Sequence, residues 1–146
     1  MIFIRPVHCY NNSIFQDSSY AAMPPEAMGK MLAESLAKIH DGKYFELFAV
    51  MDDNLCVGFV SLYETAPVVI SCGPEIKPQY RQQGYGYLAV RTALERANLM
   101  GYTKAIAQIR QDNTASIALH KKLGFTQCRS FLNRNGHSVF EFQKTL

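Results

Sequence analysis

Residues 68–76, VVISCGPEI, are rich in strand formers but carry Gly73-Pro74 near their end. Proline has no N–H to give to a ladder, so a central strand holding one must bulge or part from its neighbour there. Two more strand-like runs precede it, at 44–51 and 55–63, with Asp52-Asp53-Asn54 between them as a hairpin turn. Directly after it comes Gln79-Tyr80-Arg81-Gln82-Gln83-Gly84-Tyr85-Gly86-Tyr87-Leu88, where two glycines stand one residue apart at the start of a helical pattern. The sequence therefore predicts a three-strand meander whose last strand breaks at a proline and turns tightly into a helix.

The flanking segments extend this pattern. Residues 2–7 read as a first strand, while 11–23 are polar and irregular and give no assignment. Pro24-Pro25-Glu26 opens a helix, since proline suits the first turn and an acid suits the positive end of the dipole. Met28, Met31, Leu32, Ser35, Leu36 and Ile39 recur at three-four spacing and are predicted to face the core, with Gly42 stopping the run. A helix over 88–100 closes at Gly101, a strand follows at 105–110, and Asn113 caps a helix that ends at Gly124. A last hairpin, 125–132 with 139–142, turns at Asn135-Gly136. This order predicts an α+β fold: a mostly antiparallel sheet with helices packed on it. No linker or repeat interrupts the 146 residues, and 48% of them are hydrophobic, so one domain over 1–146 is expected.

Composition excludes several classes of function. A net charge of +3, spread along the chain, makes no stripe for nucleic acid. No apolar run is long enough to span a bilayer, and the N-terminus lacks a secretory pattern, so a cytoplasmic protein is expected without membrane or nucleic-acid partners. Cys9, Cys56, Cys72 and Cys128 lie far apart with no C-x-x-C pair, which predicts reduced core thiols and no metal site.

The glycine turn carries the chemistry. A helix N-terminus presents unpaired N–H groups and partial positive charge, glycines let the backbone bend close to a ligand, and Arg81 adds a charged fork. Such a loop suits phosphate oxygens; the alternative is a tight strand-to-helix turn with no ligand. Gly-Lys-Ser/Thr is absent, which excludes a Walker A loop. The G-x-G-x-x-G fingerprint is incomplete at Ala89, and no βαβ repeat follows.

Arg81-Gln82-Gln83-Gly84-Tyr85-Gly86 resembles the R/Q-x-x-G-x-G/A motif of the GNAT superfamily of acyl-CoA-dependent N-acyltransferases, with Ile76-Lys77-Pro78-Gln79-Tyr80 similar to that family's lead-in. The stretch from Asn113 to Gly124-Phe125 resembles its second signature, N-x-x-A/S-x-x-x-Y-x-x-x-G-F. The resemblance implies a V-shaped splay between two central parallel strands, helices on both sheet faces, and transfer of an acetyl group from acetyl-CoA to a primary amine of a small molecule or peptide. It places the diphosphate on the amides of Gln82, Gln83, Gly84, Tyr85, Gly86 and Tyr87 beside Arg81. Pantetheine falls along Pro74, Glu75 and Ile76, with Asn113 on the other wall of the cleft. Asn113 also reads as a plain helix N-cap.

His120 stands where many family members place a tyrosine acid. It is the candidate general acid for the leaving thiolate, whose pKa is roughly 8.5; the alternatives are a packing histidine, a water or a nearby tyrosine. Gln108 stands where some relatives have a glutamate and cannot take a proton. Glu64, Glu75 and Asp112 are the remaining carboxylates for a base, each also readable as a solvated charge. Cys72 has no activating neighbour in sequence, and Lys121 and Lys122 read as a basic last turn or as contacts to a nucleotide phosphate. The rival reading is an acyl-CoA-binding module without efficient catalysis. An exposed final strand leaves room for a homodimer.

Overall fold

The computed structural model describes residues 1–146. The strands are β1 (Ile2–Pro6), β2 (Phe45–Asp52), β3 (Leu55–Ala66), β4 (Val69–Ile76), β5 (Lys104–Arg110), β6 (Thr126–Leu132) and β7 (Ser138–Thr145). The helices are α1 (Pro25–Ala37), α2 (Tyr85–Leu99) and α3 (Thr114–Lys122). The strands form one sheet in the order β1-β2-β3-β4-β5-β7-β6, antiparallel except for β4 beside β5. Residues 11–23, unassigned from sequence, fold as two short 3-10 turns, Asn12–Phe15 and Ser19–Ala22.

Helices cover both faces. On one, α2 sets Ala89, Ala93 and Ala97, each fully buried, in a row one turn apart against the sheet. These small side chains let the helix sit close, while Val90 and Leu94 fill the flanks, each burial contributing about 1.5–3 kcal/mol. On the other face, Met28, Met31 and Leu32 of α1 pack with Phe15 on Leu47, Met51 and Phe59. Strand β1 ends opposite Phe48, so Leu47 has no strand to receive its N–H; Ser35 Oγ accepts it at 2.9 Å.

The end of α1 differs from expectation. The helix stops at Ala37, where Lys38 turns left-handed (φ +60°) and donates its N–H to Ser35 O at 3.2 Å. Leu36 and Ile39 are 59% and 50% exposed, so the last part of the apolar stripe lies outside the core. Helix α2 begins earlier than its sequence pattern, with Gly84 as N-cap and Gly86 inside the first turn. Cys9 and Cys128 are exposed free thiols rather than core residues.

The proline has the effect its chemistry requires. Strands β4 and β5 pair at only Val69–Lys104, Ile70–Ala105 and Ser71–Ile106, then separate. Lys77 donates its N–H to Val57 O at 2.9 Å, and alternation along the antiparallel β3–β4 ladder turns Glu75 and Gly73 toward β3 as well. Pro74 falls at the other parity. Its missing N–H therefore faces the open side of β4, where no ladder bond is lost.

Candidate active site

A cleft of about 340 Å³ occupies the gap between β4 and β5. Pro74 and Cys72 line one wall and Gln108 the other, with Ser116 and His120 of α3 at one face. None of the eleven lining residues is an Asp, Glu, Lys or Arg. Burial pushes the Cys72 thiol up to about 12, so it stays protonated and is not a nucleophile.

Past the end of β4, whose Pro74 lines the cleft, the chain presents a run of free donors. Gln82 (φ +62°) and Gly84 (φ +85°) both adopt left-handed backbone, which turns successive amides to one side. The backbone N–H groups from Gln82 to Tyr87 donate to no acceptor within the protein; the first helical bond runs from Leu88 to Gly84 O at 3.2 Å. Gly86 serves close packing: a Cβ there would lie 3.3 Å from Leu119 Cδ2 and 3.8 Å from Ile76 Cγ1. Arg81 Nε donates to Ile76 O at 3.0 Å, tying the end of β4 to the loop and leaving the Ile76 N–H on the open side of the strand. The Tyr85 hydroxyl donates to Asp52 at 2.7 Å, and the Tyr87 ring has Lys122 Nζ 4.8 Å and Arg91 5.6 Å from its centroid. Lys122 thus spans α3 and the mouth of α2, while Lys121 is solvent-exposed.

Asn113 caps α3, its Oδ1 accepting from the Ser116 N–H at 3.2 Å. His120 is 2% exposed and packs edge-to-face on Phe125. Its Nδ1 lies 2.8 Å from Ser116 O, an acceptor only, so Nδ1 carries the proton. Nε2 is buried without a partner, its lone pair bare. Burial holds the imidazole below its ordinary pKa, partly opposed by the Ser116 hydrogen bond. The resting form is neutral, with Nε2 as its acceptor.

The three carboxylates weighed as bases are occupied elsewhere. Glu64 accepts from the Tyr102 hydroxyl at 2.7 Å, and Asp112 pairs with Arg110 at 2.8 Å on the surface. Glu75 caps the turn at Ser19, accepting its N–H at 2.7 Å and its hydroxyl, and its peptide group faces β3.

A carboxylate that sequence reading missed stands beside Gln108. Glu141 of β7 is 8% exposed and lies directly across from Gln108 in the β5–β7 register. Gln108 Nε2 is 3.4 Å from Glu141 Oε1, and Arg129 of β6 donates to both carboxylate oxygens at 3.2 Å. This partnership with Arg129 holds the Glu141 carboxyl below its usual range. A lone acid between Phe140 and Phe142 in a strand was the available signal.

A profile of the acetyltransferase (GNAT) domain matches residues 8–126. The chain belongs to the GNAT acetyltransferase family. The aminoglycoside N(6')-acetyltransferase type 1 of Acinetobacter haemolyticus is 26% identical over 117 residues, covering 80% of this chain and 79% of its own length. Among solved structures, a ribosomal-protein-alanine N-acetyltransferase from Brucella melitensis superposes with a TM-score of 0.75 at 20% identity, over 99% of both chains. The Salmonella typhimurium protein yncA, solved with its cofactor acetyl-CoA, gives 0.71 at 17% identity over 99% of this chain and 94% of its own. The sheet of this GNAT domain, with its parallel β4–β5 pair and its helices on both faces, is the fold these neighbours share. No helix is long and apolar enough to cross a membrane.

Proposed function

We propose that this GNAT domain moves an acetyl group from acetyl-CoA to a primary amine of a small molecule or peptide. The observation that carries the reading is the row of unpaired amides from Gln82 to Tyr87, which follows the strand whose Pro74 lines the open cleft. Six free N–H groups at a helix N-terminus fit a diphosphate. The open edge of β4, with the Pro74 carbonyl and the Ile76 N–H, fits an amide-bearing chain lying along it as a further strand would. When bound, acetyl-CoA supplies an activated thioester.

The chain's own groups then handle position and proton. The amine must arrive neutral, because only a nitrogen lone pair attacks a carbonyl. As the N–C bond forms and the C–S bond breaks, nitrogen must lose one proton and sulfur must gain one. His120 lines the cleft and its buried Nε2 has no partner within the protein; in this reading Nε2 accepts that proton and returns it to the sulfur. This keeps His120 as the acid of the second half-step, after it has served as acceptor in the first.

Turnover of acetyl-CoA against a panel of primary amines tests the reading and separates it from an acyl-CoA-binding module. His120→Gln is expected to lose about 100-fold or more in kcat with acetyl-CoA affinity unchanged. An unaltered kcat removes His120 from the reaction.

A further inference from the structure

Glu141 is acceptor-only, and this fixes the geometry of its neighbour. An ionised carboxylate can face the Nε2 side of a carboxamide but not its oxygen. The 3.4 Å approach of Gln108 Nε2 to Glu141 Oε1 therefore turns Gln108 Oε1 away from Glu141, on an exposed side chain that lines the cleft. Gln108 itself sits on the sheet face opposite α3, since its neighbours Ala107 and Ile109 belong to the core under α2 and α3. His120 and Gln108 thus stand at opposite faces of one opening.

Charge is the second observation. The cleft holds no ionised side chain, and the carboxylates next to its lining residues are already committed: Glu141 to Arg129 and Gln108, Glu75 to Ser19, and Glu64 to Tyr102. Around Glu141 the facing groups are Arg129 and the Cys128 thiol of β6 and Gln108 of β5; around His120 they are Ser116 on its own helix and Cys72 on β4. An ammonium ion brought into such a space would lose its hydration without gaining a counter-charge.

We propose that the acceptor binds as an already neutral amine, donating an N–H to Gln108 Oε1, that Glu141 is the positioning residue that locks this carboxamide, and that the substrate class is weakly basic primary amines. This rests on the acetyl-transfer reading above. The arithmetic favours α-amino groups over aliphatic side-chain amines. At pH 7.5 an amine of pKa about 8 is roughly one-quarter neutral, against roughly one part in a thousand for an amine of pKa about 10.4. A site with a free carboxylate could gather the cation and then take its proton; this one has none to offer.

The test uses the whole chain, acetyl-CoA, and three small amines of graded basicity: trifluoroethylamine, glycinamide and propylamine. The rising limb of kcat/KM against pH is expected to move with each amine's own pKa, and glycinamide should exceed propylamine by about tenfold or more at pH 7.5. A limb fixed at one pH for all three, or a preference for propylamine at pH 7.5, overturns the inference while leaving acetyl transfer standing. If acetyl-CoA binds but no amine is acetylated, the transfer reading fails and this inference with it. Glu141→Gln keeps the volume but lets the Gln108 carboxamide face either way. It should raise the amine KM about fivefold or more, with the acetyl-CoA affinity and the dependence on amine pKa unchanged. Glu141→Asp, which remains acceptor-only, should recover part of that loss. An amine KM that does not change in Glu141→Gln, or equal losses in both variants, shows that Glu141 does not position Gln108.

Discussion

His120 Nδ1 lies 2.8 Å from the carbonyl oxygen of Ser116, one helical turn back, and this bond puts the proton on Nδ1 and leaves Nε2 as the acceptor. It has a consequence for stability. Burial keeps the folded imidazole from taking a proton that the unfolded chain takes at about pH 6.5. Below that pH the unfolded state binds more protons, so stability falls with falling pH until the folded group titrates too. The slope contributed is at most about 1.4 kcal/mol per pH unit. Urea unfolding at pH 7.5 and 5.5 should show this drop in the native chain and a smaller one in His120→Gln. Equal drops in the two proteins would mean that His120 is not the group responsible.

Gly58 packs against β4 where no side chain fits. A Cβ on it would stand 2.8 Å from Ile76 Cα and closer still to the Glu75 carbonyl oxygen, both backbone atoms that cannot swing aside. Gly58→Ala must push β3 and β4 apart beside the lead-in to the free amides. Overpacking of this kind costs about 1–3 kcal/mol. We expect a loss at the upper end, together with weaker acetyl-CoA binding, because β4 carries one wall of the cleft. Chemical denaturation and calorimetric titration read the two effects, and a variant as stable as the parent would show that the strands have slack.

How far the sequence disclosed this arrangement depends on whether the cause is local. Pro74 announced that β4 parts from β5 in its second half, because a missing N–H is a local property; the last pair, Ser71–Ile106, lies just before it. Asn113 announced a cap for the same reason. The partnership of Glu141 with Gln108 and Arg129 joins three strands out of sequence order, and only the topology β5-β7-β6 brings it together. The end of α1 was misread because Leu36 and Ile39 continue the apolar spacing, while Lys38 adopts a left-handed turn that no side chain there demands. The resting proton on His120 depends on a carbonyl and on burial, neither of which the residue type reveals.

Gly84 and Gly86 do different work despite their spacing. Gly84 has φ +85° and open space around it, so Gly84→Ala costs about 1–2 kcal/mol through backbone strain alone. Gly86 lies inside α2, where glycine to alanine ordinarily gains about 1 kcal/mol. Here the new methyl meets Leu119 Cδ2 at 3.3 Å, so most of that gain should vanish. It should return in a Leu119→Ala background, where the wedge against α3 is removed. A double-mutant cycle measures this coupling. Additive effects of the two changes would show that α2 and α3 are not in firm contact at the free amides.

Val68 is held where a branched side chain least belongs. It follows Pro67 in the turn from β3 to β4, with φ +58°, and is 52% exposed. A left-handed backbone costs an L-residue about 1–2 kcal/mol, more for one branched at Cβ. Its position is nonetheless fixed, since Val68 O accepts the N–H groups of Thr103 at 2.9 Å and Lys104 at 3.3 Å and so starts the parallel β4–β5 pairing. Val68→Gly keeps that carbonyl and removes the strain, at the expense of a looser unfolded chain and little buried surface. The net gain should be about 1 kcal/mol, or about 2–4 °C in Tm for a chain of this size. Acetyl-CoA affinity should be unchanged, because the pairing below the cleft is kept. A fall in Tm would mean that the half-buried isopropyl group holds the turn more firmly than its backbone resists it.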